Sequence, residues 1–162
     1  MRKCVYAGSF DPPTSGHREI IDKCLKLFDE VVVAIMINPN KTSYLTYGER
    51  EYLLKKLYQN ESRVKVVTFS GAAVDLLNKE NTPFYVRGVR NTVDFEYENA
   101  DMFASKKLKE DMITIYIPAE QNSLHISSTL ARSSVKFKKD CSQIIPEEIY
   151  EDFLKFTENK DV

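Results

Sequence analysis

The chain has 162 residues, a length typical of one domain with a single hydrophobic core. Hydrophobic residues make up 43% of it and charged residues 29%, a balance that argues against an intrinsically disordered chain. The formal net charge is −1, so the chain has no overall excess of basic residues with which to bind the phosphate backbone of a nucleic acid. We therefore expect no nucleic-acid partner.

Short β-rich runs alternate with helical patterns along the chain, which predicts parallel strands joined by helical crossovers. The longest apolar run, Val31–Ile37, has no polar interruption, as expected of a central strand covered on both faces. We therefore predict an α/β, single-domain, Rossmann-like, doubly wound parallel sheet of five strands with helices on both faces. The predicted strands are Cys4–Ala7, Val31–Ile37, Val64–Phe69, Phe84–Val86 and Ile113–Ile117.

The first helix is predicted from near His17, because the apolar residues after it have helical spacing: Ile20, Ile21, Cys24, Leu25 and Phe28. Thr46 and Glu49 form a capping-box pattern that opens a second helix. Further helices are predicted over Ala72–Lys79 and Asp94–Leu108, after Ser127 and after Pro146. We treat residues 1–162 as one domain with a C-terminal helical segment from about residue 127.

The spacing of the cysteines and the hydropathy of the chain indicate in which cellular compartment the protein resides. Cys4, Cys24 and Cys141 are too widely spaced for a paired-thiol metal site or redox motif, which favours reduced thiols. No apolar run approaches the ~20 residues that cross a bilayer, and no secretory signal precedes the first strand. We expect a cytoplasmic protein with no membrane partner.

The loop after the first strand is the first candidate for chemistry, because parallel sheets bind ligands beyond the carboxyl ends of their strands. Gly8 permits a sharp turn, Gly16 permits close approach to a phosphate, and His17 can donate a ring hydrogen bond to it. The loop leads into a helix N-terminus, which attracts anions. It matches neither the dinucleotide fingerprint nor the P-loop.

A second phosphate-type opening is predicted at Ser127-Ser128-Thr129, where hydroxyls and N–H groups begin a helix. Two helix N-termini could hold one triphosphate between them. We therefore expect the openings at Gly16 and Ser127 to face a single pocket.

These motifs carry a family resemblance. Thr14–His17 resembles the T/H-x-G-H signature of the nucleotidyltransferase superfamily, and Ile126–Arg132 resembles its I-S-S-[ST]-x-x-[RK] signature. Val86–Arg90 and Asp94–Glu98 are similar to the R-G-[LVI]-R and D-F-[ED]-Y-E segments of the phosphopantetheine adenylyltransferase family. The resemblance extends from Val5 to about Phe153, nearly the whole chain.

The resemblance implies an enzyme that transfers AMP from ATP to 4′-phosphopantetheine, giving dephospho-coenzyme A and pyrophosphate. It implies catalytic roles for His17, Lys41 and Arg90. It places phosphopantetheine on Ser9, Lys41, Ala73 and Arg87. It places ATP on Ser9, Phe10, His17, Gly88, Val89, Arg90, Glu98, Ser123, Leu124, His125, Ile126, Ser127, Ser128 and Thr129.

The resemblance also bears on cofactors and partners. Magnesium is expected because it neutralises triphosphate oxygens, and no carboxylate or histidine set has metal-ligand spacing, so the ion would arrive with ATP. Dephospho-coenzyme A or coenzyme A is implied as product or inhibitor, and a homohexamer as the assembly.

Two other interpretations remain open from the residues. One is a nucleotidyltransferase of the same superfamily with another phosphorylated acceptor, because Asp101, Ala104 and Ser105 depart from the family pattern. The other is a nucleotide-binding module that has lost catalysis.

Overall fold

The structure is a computed structural model that describes residues 1–158 and 160, without the side chain of Asp101. Within these residues, five parallel strands form one sheet in the order β3-β2-β1-β4-β5. The strands are β1 (Lys3–Gly8), β2 (Glu30–Met36), β3 (Val64–Phe69), β4 (Phe84–Val89) and β5 (Ile113–Pro118). The predicted α/β class and doubly wound parallel sheet are confirmed.

Helices alternate with the strands along the chain, and a short 3₁₀ turn over Gln121–Ser123 follows β5. The helices are α1 (Ser15–Leu27), α2 (Tyr47–Leu57), α3 (Ala73–Lys79), α4 (Thr92–Lys106), α5 (Ser128–Lys136) and α6 (Glu147–Thr157). No helix of the described residues is long and apolar enough to cross a membrane.

The order of the strands reverses at β1. From β1 the chain moves outward through β2 to β3, then returns to β4 on the other side of β1 and continues to β5. The connections therefore diverge between β1 and β4, and in sheets of this type a ligand crevice opens at that point, beyond the carboxyl ends of the strands.

Apolar cores cover both faces of the sheet. Alternate residues of β2 point to opposite sides: Val31 and Val33 pack with α1, while Val32 and Ala34 pack with α3. All four side chains are fully buried. The absence of a polar residue in this run thus follows from burial on both faces, although the centre of the sheet is β1 and β2 lies beside it.

A third core joins α2 to the C-terminal helices. Leu45 and Leu53 pack there with Ala131 of α5 and with Ile149 and Phe153 of α6. The predicted C-terminal helical segment therefore rests on α2, next to the loop that precedes it.

Several element boundaries differ from the prediction by one to three residues, and two of these differences affect the site. Helix α1 begins at Ser15, because the Thr14 hydroxyl caps the backbone N–H of His17, so Gly16 lies in the first turn. Strand β4 continues to Val89, because Arg87 and Gly88 pair with β5. The segment Arg87–Val89 is therefore part of the strand, whereas the sequence had predicted that it follows the strand.

Candidate active site

A cavity of about 700 Å³ opens at the carboxyl edge of the sheet, where β1 and β4 diverge. Its walls include the ends of β1, β2 and β4, and also the first turns of α1 and α5. Gly16 and His17 line it from one helix, and Ser127, Ser128 and Thr129 from the other. The two helix openings therefore face one cavity, as expected from the sequence.

His17 has a defined tautomer at this cavity. The backbone N–H of Thr14 donates to Nδ1 of His17 across 3.0 Å, and the Thr14 hydroxyl lies 3.1 Å from the same nitrogen. Since Nδ1 accepts, the proton of the neutral ring is on Nε2. Burial, with a smaller contribution from the charge of Arg90, lowers the pKa of His17 to about 4. The ring is therefore a neutral hydrogen-bond donor near pH 7.

Phe10 supports the ring of His17 from beneath. Its side chain is fully buried, and its ring centroid lies 4.8 Å from that of His17 and 5.5 Å from that of Tyr6. Its backbone has a φ of 48°, which is unusual for a bulky residue and is held by the surrounding packing. Phe10 therefore positions His17 through its ring and does not itself line the cavity.

Arg87 is a cation held in place on the wall formed by β4. Its Nη1 donates to the carbonyl oxygen of Ala7 at 2.9 Å and to the hydroxyl of Tyr85 at 3.2 Å. Its Nη2 forms an ion pair with Glu98 of α4. Burial opposes the charge of Arg87, but Tyr85 and Glu98 outweigh it and raise the pKa of Arg87. The guanidinium therefore stays charged.

The packing of this wall explains why residue 88 is a glycine. A Cβ there would lie 3.0 Å from Cγ1 of Ile20 and 3.6 Å from the hydroxyl of Tyr6. A larger residue would require Ile20 to shift by a few tenths of an ångström, so the glycine between the two arginines allows β4 and α1 to pack closely beneath the cavity.

Further cations line the same space. Arg90, at the end of β4, is exposed and its Nε lies 3.1 Å from a carboxylate oxygen of Asp94. Lys41 lies in the exposed loop after β2. With Arg87 and Arg132 they make the cavity locally basic in a chain whose net charge is −1, which suits an anionic ligand.

The opening of α5 is attached to the loop before α1. The Ser128 hydroxyl donates to the carbonyl oxygen of Pro12 at 2.7 Å, and Nη1 of Arg132 donates to that of Asp11 at 2.6 Å. The Ser127 hydroxyl caps the helix by accepting from the N–H of Leu130 at 3.1 Å. These bonds hold the two helix openings side by side.

Most of the predicted site residues line the cavity, and four do not. Phe10 lies beneath it, Ala73 begins α3 and packs against the opposite core, and Leu124 and His125 are exposed after the 3₁₀ turn. Their assigned roles stay predictions. Those that line it are Ser9, His17, Lys41, Arg87, Gly88, Val89, Arg90, Glu98, Ser123, Ile126, Ser127, Ser128 and Thr129.

Several lining residues were not predicted, among them Asp11, Thr14, Arg50 and Arg132. Arg132 stands within the second signature and Thr14 within the first, so the motifs themselves could have signalled both. Arg50 gives no such signal, because an arginine one turn into a helix is usually solvated. Its burial depends on partners elsewhere in the chain.

The residues that depart from the family pattern lie away from the cavity or cannot be placed. Ala104 is exposed and Ser105 is half-buried, and neither lines the cavity. The side chain of Asp101 lies outside the described residues.

The cavity contains carboxylates, but each already has a partner in the protein. Asp11 accepts backbone N–H bonds, Asp94 pairs with Arg90, and Glu98 pairs with Arg87. Among residues 1–158 and 160, no group of three or more histidine, cysteine, aspartate and glutamate side chains could hold a metal ion. A divalent cation would need most of its ligands from a bound anion.

Comparisons with known proteins show the family of the chain. Residues 5–134 match the cytidylyltransferase-like family. A protein of Clostridium tetani named phosphopantetheine adenylyltransferase is 36% identical over 160 residues, which are 99% of this chain and 100% of that protein. The chain belongs to the phosphopantetheine adenylyltransferase family. Phosphopantetheine adenylyltransferases of Clostridium kluyveri and Bacteroides thetaiotaomicron are 35% and 36% identical over 96% and 91% of this chain.

Solved structures share the fold. A putative nicotinate-nucleotide adenylyltransferase from Vibrio parahaemolyticus superposes with a TM-score of 0.74 at 24% identity, covering 95% of this chain and 99% of that one. A bifunctional NMN adenylyltransferase/ADP ribose pyrophosphatase from Francisella tularensis gives 0.75 at 14% identity, covering 99% and 51%. The family and the enzyme class that the motifs predicted are confirmed.

Proposed function

We propose that this chain transfers AMP from ATP to 4′-phosphopantetheine, forming dephospho-coenzyme A and pyrophosphate. The observation that carries the proposal is the meeting of two helix N-termini and a neutral His17 in one basic cavity. Relatives named for this activity match the chain over nearly its full length, which favours it over other acceptors.

ATP would lie between the two helix openings. The N–H groups at the start of α1 and α5 carry partial positive charge, which stabilises phosphate oxygens. Arg90, Ser127 and Thr129 line the same space and would contact the triphosphate. Gly88 and Val89, on the wall between them, would face the nucleoside.

The acceptor phosphate would lie beside Ser9, Lys41 and Arg87, which all line the cavity. Arg87 is already oriented by its bonds to Ala7 and Glu98, so little side-chain entropy would be lost on binding. Ala73 would contact the pantetheine arm where it leaves the cavity toward α3.

The reaction would be a direct in-line displacement. A phosphate oxygen of the acceptor attacks the α-phosphorus of ATP, the new P–O bond forms, and the bond to the pyrophosphate oxygen breaks. Such transfers require mainly positioning and stabilisation of charge on the phosphate oxygens. The Nε2–H of His17 and the cations of Lys41 and Arg90 would supply that stabilisation.

Magnesium would enter as part of the nucleotide substrate. The donors of the cavity are chiefly N–H groups, hydroxyls and cations, and its carboxylates are engaged with protein partners. These residues fit a magnesium ion that the phosphate oxygens hold, with hydroxyls such as Ser127 nearby. The ion would neutralise phosphate charge.

The chain would act as a homohexamer in the cytoplasm, with coenzyme A as an inhibitor. The exposed apolar side chains of α4 support assembly, because an isolated chain would leave them in water: Val93, Phe95, Tyr97 and Phe103. Leu108, just beyond α4, is 74% exposed and adds to this apolar surface.

One experiment tests the activity. The purified chain is incubated with ATP, magnesium and 4′-phosphopantetheine, and dephospho-coenzyme A and pyrophosphate are quantified by mass spectrometry and a coupled assay. Parallel reactions offer CTP in place of ATP, and nicotinate mononucleotide in place of 4′-phosphopantetheine. We expect product only with ATP and 4′-phosphopantetheine, and faster turnover with another acceptor would contradict the proposal.

A further inference from the structure

Arg50 is a buried charge that the proposed reaction does not yet use. We infer that Arg50 is a positioning residue, which holds the loop of Ser9 and the loop of Lys41 in a fixed relation so that both can bind the acceptor phosphate. The inference rests on the proposed function for its kinetic consequence and on geometry alone for its structural one.

The guanidinium of Arg50 joins two loops of the cavity. Its Nε and Nη2 donate to the carbonyl oxygen of Leu45 at 3.0 and 2.7 Å. Its Nη1 donates to the carbonyl oxygen of Ser9, 41 residues away in the chain, at 3.0 Å. The side chain is only 2% exposed, so water competes little for these bonds.

Asp11 completes the connection in the opposite direction. Its carboxylate oxygens accept from the backbone N–H groups of Tyr44 and Leu45 at 2.8 and 2.7 Å. One of these oxygens also lies 3.5 Å from Nε of Arg50. The segment from Ser9 to Asp11 is thus joined to Tyr44 and Leu45 both by a carboxylate and by a guanidinium.

The energetics of buried ion pairs favour a positioning role for Arg50 over a purely stabilising one. Desolvation of a buried ion pair offsets much of its attraction, and apolar residues of similar size often stabilise a fold as well. The forked donors of arginine, by contrast, fix directions as well as distances. Arg50 also lines the cavity, where the placement of the two loops affects ligand contacts.

Loss of the Arg50 guanidinium should weaken binding of the acceptor more than binding of ATP. Ser9 is bonded to Arg50 directly, and Lys41 lies four residues before Leu45, in an exposed loop. Loss of the fork would let these two groups separate. Ser9 is assigned to both substrates, but the other residues proposed for ATP that line the cavity, such as Val89 and Thr129, make no hydrogen bond to Arg50, so nucleotide binding should change less than acceptor binding.

The test compares Arg50→Lys, which keeps the charge and loses the fork, with Arg63→Lys as a control. Arg63 pairs with Glu61 at the surface and does not line the cavity. Hydrogen exchange is measured at the amides of Tyr44 and Leu45, and the KM values for 4′-phosphopantetheine and ATP and the kcat are measured separately. Circular dichroism and a thermal melt establish the folded fraction.

For Arg50→Lys we expect about tenfold faster exchange at Tyr44 and Leu45, with unchanged protection in β1 and β2. We also expect a fall of about 10²-fold in kcat/KM for 4′-phosphopantetheine, with the KM for ATP within about twofold of wild type. Unchanged exchange, or equal changes in both KM values, would overturn the inference.

Two safeguards keep the outcome decisive. Should Arg50→Lys not fold, Asp11→Asn weakens the same connection from the other side and is expected to give the same pattern of exchange and KM values. Should the wild-type chain make no dephospho-coenzyme A, the proposed function fails, while the exchange at Tyr44 and Leu45 still decides whether Arg50 joins the loops.

Discussion

The backbone N–H of Thr14 donates a hydrogen bond of 3.0 Å to Nδ1 of His17, so the first turn of α1 sets the tautomer of a cavity residue. This is a capping box in which histidine stands where glutamate or glutamine is usual. The bond that begins the helix therefore also leaves the Nε2 proton available to a ligand.

The first prediction concerns the titration of His17. Because burial lowers its pKa to about 4, its ring should stay neutral, with the proton on Nε2, from pH 5 upward. We expect ¹⁵N NMR of the His17 imidazole to show a midpoint near pH 4. A midpoint for His17 near 6.5 would contradict the burial argument.

The same shift has a consequence for stability. The unfolded chain binds a proton at His17 near pH 6.5, whereas the folded chain does so only near pH 4, so protonation between these values favours unfolding. The wild type should therefore lose stability relative to His17→Gln as the pH falls from 7 to 4. Urea unfolding of both proteins at several pH values measures the difference in stability, which should stop changing with pH above about 7.

The second prediction concerns catalysis. His17→Ala removes one donor to the phosphate oxygens and should lower turnover by about 10²-fold or more, with a smaller effect on the KM for the acceptor. The control is Lys26→Ala, at an exposed position on the same helix that does not line the cavity, which should lose far less. Near-normal turnover of His17→Ala would remove His17 from the mechanism.

The third prediction concerns the ion pair between Arg87 and Glu98, whose side chains are 23% and 14% exposed. Glu98→Gln leaves the guanidinium without its carboxylate and should lower the free energy of unfolding by about 1–3 kcal/mol. Glu96→Gln, an exposed position on the same helix, should change it by less than about 0.5 kcal/mol. Equal effects in urea titrations would argue against a structural role for the pair.

The fourth prediction concerns assembly. Tyr97 and Phe103 of α4 are 74% and 60% exposed, so Tyr97→Lys and Phe103→Lys should weaken an interface formed by this helix. Sedimentation velocity should then show smaller species than the wild type. Phe137→Lys, at an equally exposed aromatic residue after α5, is the control. If only Phe137→Lys dissociates the protein, the interface lies elsewhere.

Much of the fold could be predicted, because its signals are local. The unbroken apolar run of β2 and the cap at Thr46 each depend on neighbouring residues, and each predicted its element. The start of α1 at Ser15 and the end of β4 at Val89 were predicted less accurately. The first depends on a side-chain cap, and the second on pairing with β5, a strand distant in sequence.

The sequence by itself determined the order of strands and helices and the two signatures that identify the family, because these are properties of neighbouring residues. Only the tertiary structure decided that Arg50 is buried against Ser9 and that Phe10 lies beneath His17, and it confirmed the expectation that α1 and α5 open on one cavity. The physical reason is that burial and hydrogen bonding depend on partners far away in the chain, which meet only when the sheet is assembled.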